Sequence, residues 1–284
     1  MGQKAYFGDL PEQYTALKQA QIVVIPVPYD GTSTWLKGAD NGPAAIIEAS
    51  AHMELYDIET DLEVYKKGIF TAEPLAGMES PEDMVEMVAQ QVRKYLENGK
   101  FLVVVGGEHS VSIGSVKGHM KSNSDITVLQ LDAHSDLRDK YEGSKYNHAC
   151  TMARIAELYP IVQVGIRSMD SSEKNALDTK RTVFAEEIFT NKNWIENVLS
   201  KLSKNVYITI DLDVFDPSIM PSTGTPEPGG LLWYDVLGLM RNVFENRNVV
   251  GFDIVELCPD EKNKAPDFLA AKLVYKLLSY KFRE

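Results

Sequence analysis

Seven short apolar runs recur along the chain, and each has the length of a buried strand rather than of a helix: Ile22–Val27, Gly68–Thr71, Phe101–Val105, Ile126–Leu131, Ile161–Gly165, Val206–Ile210 and Val249–Ile254. Between and after them lie segments with helical spacing, at about Pro43–Glu48, Pro81–Asn98, Ile113–Lys121, Thr151–Leu158, Trp194–Leu202, Trp233–Asn246 and Pro266–Lys281. Apolar strands alternating with helices predict a mainly parallel sheet covered on both faces, an α/β/α sandwich of three layers. No repeat, low-complexity tract or composition break interrupts the 284 residues, so the expectation is one domain over 1–284.

Ligands of such sheets bind beyond the carboxyl ends of the strands. Four of the runs end in chemistry: "VVVGGEHS" at His109, "VLQLDAHSD" at Asp132, "VYITIDLDVFD" at Asp211 and "GFDIVEL" at Glu256. Taken singly, an Asp after a strand is commonly a helix cap or turn former, and a lone His is commonly filler. Convergence argues otherwise. Residues two apart on an extended chain point to the same side, so Asp132, His134 and Asp136 can share one focus, and Asp211 and Asp213 repeat the pattern. Four clustered carboxylates cannot all stay ionised without a cation. One divalent ion leaves the cluster at +2 − 4 = −2, and two bring it to neutrality. Two ions therefore fit better than one, about 3.5–4 Å apart and able to turn a bridging water into hydroxide near neutral pH. Oxygen-rich donors with imidazole and without thiolate favour manganese over zinc or magnesium.

Composition narrows the partners. A net charge of −12 and the lack of Lys/Arg clusters exclude a nucleic-acid binder and suit a cationic substrate. No apolar stretch spans a bilayer, and the N-terminus lacks the core of a secretory signal. The Met-Gly opening is not followed by Ser or Thr at position 6, which is Tyr6, so myristoylation is not expected. Two cysteines, Cys150 and Cys258, make neither a C-x-x-C pair nor a disulfide framework, and a cytoplasmic location is expected.

With "GGEHS" (106–110), "DAHSD" (132–136), "NHAC" (147–150), "DLDVFDPS" (211–218), "TGTPEPGG" (223–230) and "DIVEL" (253–257) in this order, the chain resembles the ureohydrolases, the arginase and agmatinase family. "PYDGTSTWLKGADNGPAAI" (28–46) resembles the agmatinase branch. The resemblance implies the arginase-like fold and two Mn2+ per chain. One ion would be held by His109, Asp132, Asp136 and Asp211, the other by His134, Asp132, Asp211 and Asp213, with Asp132 and Asp211 bridging. It implies hydrolysis at a guanidinium carbon to urea and an amine, with Asp136 also among the catalytic residues. His148 would shuttle a proton to the leaving amine, Glu256 would pair with the guanidinium, and Thr225 would touch substrate. It further implies a homo-oligomer, trimer or hexamer. Glu108 departs from the Asp often found before the first His of this family.

Arginases carry an Asn two positions beyond the last Asp of D-x-H-x-D; Arg138 stands there, so that contact to an α-carboxylate is absent. Agmatine, giving putrescine and urea, is the expected reaction, with guanidinobutyrate, guanidinopropionate or arginine as rival substrates. A metallophosphoesterase would need G-D-x-x-D and G-N-H-[ED] motifs, which the chain lacks, and a related zinc deacetylase would keep fewer metal-binding carboxylates. The rival of another class is a non-catalytic metal-binding homologue.

Overall fold

The computed structural model describes residues 6–120 and 125–283. The Met-Gly opening, and the Lys121 end expected of one helix, lie outside them. Strands β1 (Ile22–Val27), β2 (Ile69–Thr71), β3 (Phe101–Gly106), β4 (Ile126–Leu131), β5 (Ile161–Ile166), β6 (Thr182–Phe184), β7 (Asn205–Asp211) and β8 (Asn248–Val255) form one sheet in the order β2-β1-β3-β8-β7-β4-β5-β6. Every pairing is parallel. The helices are α1 (Gly42–Ser50), α2 (Pro81–Leu96), α3 (Val111–His119), α4 (Thr151–Ala156), α5 (Ala185–Thr190), α6 (Trp194–Lys201), α7 (Trp233–Asn246) and α8 (Ala265–Lys281).

The period-two rule sorts the layers. Ile22 and Val24 of β1, with Phe101, Val103 and Val105 of β3, pack into the core that also takes up α1, α6, α7 and α8. Their alternates Val23, Ile25, Leu102 and Val104 pack with α2 and the start of α3. Both faces are covered, which is why the strands read as unbroken apolar runs and carry no alternating pattern. All seven expected strands and seven expected helices are present, within a few residues at their ends. The sequence offered nothing between Gly165 and Trp194, where β6 and α5 lie. A three-residue edge strand and a six-residue helix are each too short to show a period.

Local chemistry fixes the ends that matter. Ser80 caps α2 by accepting the Asp83 amide at 3.1 Å, with Pro81 in the first turn. Beyond β3 only glycine fits at 107, because a Cβ there would lie 2.1 Å from the carbonyl oxygen of Tyr29. The loop after β1 therefore lies directly on the end of β3, an approach cemented when the Glu108 amide donates to the same carbonyl at 2.9 Å. Among the described residues no helix is long and apolar enough to cross a membrane.

Candidate metal centre

The strands carrying the expected site residues, β3, β8, β7 and β4, are four consecutive neighbours in the middle of the sheet. Their carboxyl ends place His109, Glu256, Asp211 with Asp213, and His134 to Asp136 around one cavity, and Asp132 lies buried beside His109. His109 Nδ1 lies 3.0 Å from Asp132 Oδ2, 2.9 Å from Asp136 Oδ2 and 3.5 Å from Asp211 Oδ2. Among the described residues it nevertheless makes no hydrogen bond and is a buried orphan. The imidazole nitrogen and the carboxylate oxygens of Asp132 and Asp211 lie together as the donor set of a cation, with Asp136 Oδ2 close to the same nitrogen. His134 Nδ1 lies 2.8 Å from Asp213 Oδ2 and 3.7 Å from Asp132 Oδ1. Two ligand groups result, His109/Asp132/Asp211 and Asp132/His134/Asp213, and Asp132 belongs to both. Asp136 stands outside both groups and meets the first only through the approach of its Oδ2 to His109 Nδ1. Asp211 stands in the first group, and its Oδ1 accepts the Asp213 amide at 2.9 Å.

The backbone is held for this purpose. Asp136 and Glu256 are non-glycine residues with φ of 52° and 69°, a left-handed conformation that costs about 1–3 kcal/mol and persists only where surroundings enforce it. The Asp136 carbonyl accepts the amides of Met152 and Ala153 at the start of α4, and the Glu256 amide donates to Gly107 O at 2.7 Å.

Electrostatics gives the same answer as the geometry. Burial, then the charges of Asp213 and Asp136, push the Asp132 carboxyl up to about 7. Burial, Asp213 and Asp132 raise Asp211 well above the usual carboxylate range. Burial opposes the charge on His134, yet Asp213 and Asp132 lift it to about 10. His109 is likewise raised despite burial, by Asp132 and Asp136. Metal-free, the cluster holds protons where cations would otherwise sit. The residues present thus fit two divalent ions sharing Asp132.

A supporting layer went unread in the sequence. His109 Nε2 lies 3.0 Å from Thr209 Oγ1, and Thr209 donates its single hydroxyl proton to Asp253 Oδ1 at 2.7 Å. Ser112 and Tyr207 also donate to Asp253, at 2.8 and 2.6 Å. With the Thr209 proton committed, His109 must carry its own proton on Nε2, leaving the Nδ1 lone pair for a metal. Gln163 donates to Gln130 Oε1 at 2.6 Å, and Gln130 to Asp132 Oδ2 at 2.6 Å. Glu173 accepts from Ser135 Oγ and the Leu137 amide at 2.8 and 2.7 Å, clamping the metal-binding loop. The available signal was a polar residue inside an apolar strand: Gln130 in "ITVLQL", Gln163 in "IVQVGI", Thr209 in "NVYITID" and Asp253 in "NVVGFDIV".

His148, Glu256 and Thr225 all line the cavity. Glu256 is buried, and its Oε1 accepts the His109 amide at 2.7 Å. Burial, then the charge of Glu108, raise its pKa well above the usual carboxylate range, so a cation arriving beside it would restore its charge. Thr225 is exposed on the rim, on the loop just beyond the buried Thr223. Arg138 also lines the cavity, but its guanidinium lies over the Tyr141 ring at 4.3 Å and 3.8 Å from Asp170.

Residues 20–279 match the arginase family. The chain is 40% identical over 280 residues to an N(1)-aminopropylagmatine ureohydrolase of Synechocystis sp., covering 95% of this chain and 92% of that protein. It is 32% identical to an agmatinase of Pyrococcus horikoshii, covering 94% of each. The crystal structure of the agmatine ureohydrolase of Thermoplasma volcanium superposes with a TM-score of 0.87 at 33% identity, over 95% of this chain and 92% of that one. Fold, cluster and sequence agree, and the chain belongs to the arginase family, as a ureohydrolase of its agmatinase branch.

Proposed function

We propose that this ureohydrolase uses two manganese ions to hydrolyse the guanidinium group of a linear cationic guanidine, agmatine or its N(1)-aminopropyl derivative, releasing urea and the corresponding amine. The observation that carries the reading is the orphaned His109 Nδ1 among three carboxylate oxygens, with Glu256 Oε1 held by the amide of the same histidine. Oxygen-rich donors with two imidazoles support manganese. Bound there, two divalent cations supply a hydroxide nucleophile at neutral pH and neutralise four carboxylates. Glu256 takes the guanidinium by charge-assisted hydrogen bonds and holds its planar carbon for attack. His148 delivers a proton to the departing nitrogen, and Thr225 contacts the chain of the substrate at the rim.

The mouth favours a cationic far end over a carboxylate one. Arg138, the cation there that a substrate carboxylate could use, is stacked on Tyr141 and faces Asp170. Agmatine is the substrate expected from the sequence. The N(1)-aminopropyl derivative is a second reading, favoured because the 40% identical relative carries that name while the agmatinase is 32% identical. Urea release by the manganese-loaded protein from agmatine, N(1)-aminopropylagmatine, arginine and 4-guanidinobutyrate separates them. Either amine-ended substrate should exceed both carboxylate-ended ones at least tenfold in kcat/KM. A leading kcat/KM for arginine or 4-guanidinobutyrate rejects the proposal, and the order of the two amine-ended substrates chooses between its forms.

A further inference from the structure

Glu108 is fully buried at the end of β3, beside the metal cluster yet outside both ligand groups. Its oxygens are saturated by donors. Oε2 accepts the Thr32 amide at 2.5 Å and the Ser33 hydroxyl at 3.4 Å. Oε1 accepts the Thr32 and Ser110 hydroxyls at 2.6 and 2.5 Å. Thr32 in turn meets His148 twice: its Oγ1 accepts the His148 amide at 2.9 Å and lies 3.3 Å from His148 Nδ1.

A hydroxyl has one proton, and Thr32 gives its proton to Glu108. Thr32 Oγ1 can then only accept from the ring, so His148 Nδ1 must bear a hydrogen, and Nε2 is the nitrogen left for the cavity. We infer that Glu108 is a positioning residue that acts through Thr32 to fix the His148 tautomer, so that Nε2 alone exchanges protons with the leaving group. In the transfer the imidazolium gives its Nε2 proton to the departing nitrogen, whose lone pair is the electron pair of the broken C–N bond. The ring is left neutral with Nδ1 protonated, the form the relay stabilises. Thr209 and Asp253 build the same carboxylate–threonine–histidine chain behind His109. The inference rests on the proposed role of His148 for its kinetic consequence, while the tautomer itself is independent of that reading.

Glu108→Gln tests the relay without changing shape. An amide nitrogen at the Oε2 position would face the Thr32 N–H, donor against donor. It settles instead at the Oε1 position, donates to Thr32 Oγ1 and frees the Thr32 proton for His148 Nδ1. The relay reverses and the other tautomer follows. In the zinc-loaded, diamagnetic protein, imidazole 15N shifts should show His148 protonated at Nδ1 in the wild type and at Nε2 in Glu108→Gln. Only five histidines need assigning, and His148→Asn identifies the signal. With manganese, kcat should fall about 10- to 100-fold with KM within about twofold, the scale of lost outer hydrogen-bond partners. Thr32→Val should show the same loss and Thr32→Ser should recover most of it. An unchanged tautomer in Glu108→Gln overturns the inference, as does a loss of kcat matched by loss of bound metal, or a Thr32→Val protein with wild-type kcat. If the wild type releases urea from no guanidine, the functional reading falls instead, and the 15N result still decides the relay.

Discussion

The two imidazoles of the cluster sit in unlike surroundings. The His109 side chain is 1% exposed and clamped from behind by Thr209, Asp253, Ser112 and Tyr207, all on strands or on the adjoining helix α3. The His134 side chain is 25% exposed, and among the described residues its outer nitrogen has only Glu227, 3.7 Å away on a loop and itself 35% exposed. The inner imidazole therefore has its tautomer and angle set by the sheet, whereas the outer one is oriented by its own metal-facing contacts to Asp213 and Asp132. Hydrogen bonds to a ligand's far side raise its basicity and prepay its orientation. The inner position should bind its cation more tightly, and the outer should fill last and empty first.

The largest effect comes from the residue the two positions share. Asp132→Asn removes a ligand from both groups, so both ions should leave together and urea release should fall on the order of 1,000-fold or more, beyond what outer partners command. Asp213→Asn, confined to the outer group, should leave one ion in place. Counting bound metal after dialysis checks both, and one tight ion retained in Asp132→Asn would break the shared-ligand geometry. A smaller, sharper test compares the two backings. Asp253→Asn should weaken the inner site about 10- to 100-fold in metal affinity. Glu227→Gln, acting across 3.7 Å at an exposed loop, should change the outer site by no more than about threefold. Equal effects in a metal titration would erase the asymmetry.

The same contrast explains what could be read from sequence. The candidate ligands stood out because each falls at or just beyond the end of an apolar run, and because D-x-H-x-D and D-x-D spacing turns these side chains to one side of the chain. The clamp was not, because Gln130, Gln163, Thr209 and Asp253 are single polar residues within runs that otherwise read as core, and which strand lies beside which is invisible in one dimension. The order β3-β8-β7-β4 brings residues 109, 209 and 253 into one hydrogen-bonded chain although about a hundred residues separate the first two. Thr32 escaped for a related reason: the loop after β1 meets His148 only because Gly107 lets it lie on the end of β3. Likewise β6 and α5 carry too few residues for a pattern.

The smallest effect is a pH dependence confined to the metal-free protein. Asp132, ordinarily at 3.8, is raised to about 7, so the folded state keeps a proton that the unfolded chain releases. Its stabilisation is full below about pH 4 and is lost as pH rises through 7. Asp211 shifts the same way. His134, ordinarily at 6.5, is raised to about 10, so its stabilisation is full below 6.5 and is lost as pH climbs through 10. Asp213, lowered by His134 against the effect of burial, acts in the opposite sense but only below 3.8, outside this window. Each unmatched proton is worth at most about 1.4 kcal/mol per pH unit, or a few degrees in Tm for a domain of this size. Stripped protein should therefore lose several degrees between pH 5.5 and 8.5 relative to manganese-loaded protein, in which cations replace the protons. His134→Asn should shrink the alkaline part of that difference and leave the contributions of Asp132, Asp211 and His109, which are raised in the same direction. A stripped-minus-loaded difference in Tm that stays flat or narrows as pH rises would mean that the carboxylates are not crowded enough to need cations, and the distinction between a clamped and an open imidazole would then carry no weight for metal binding.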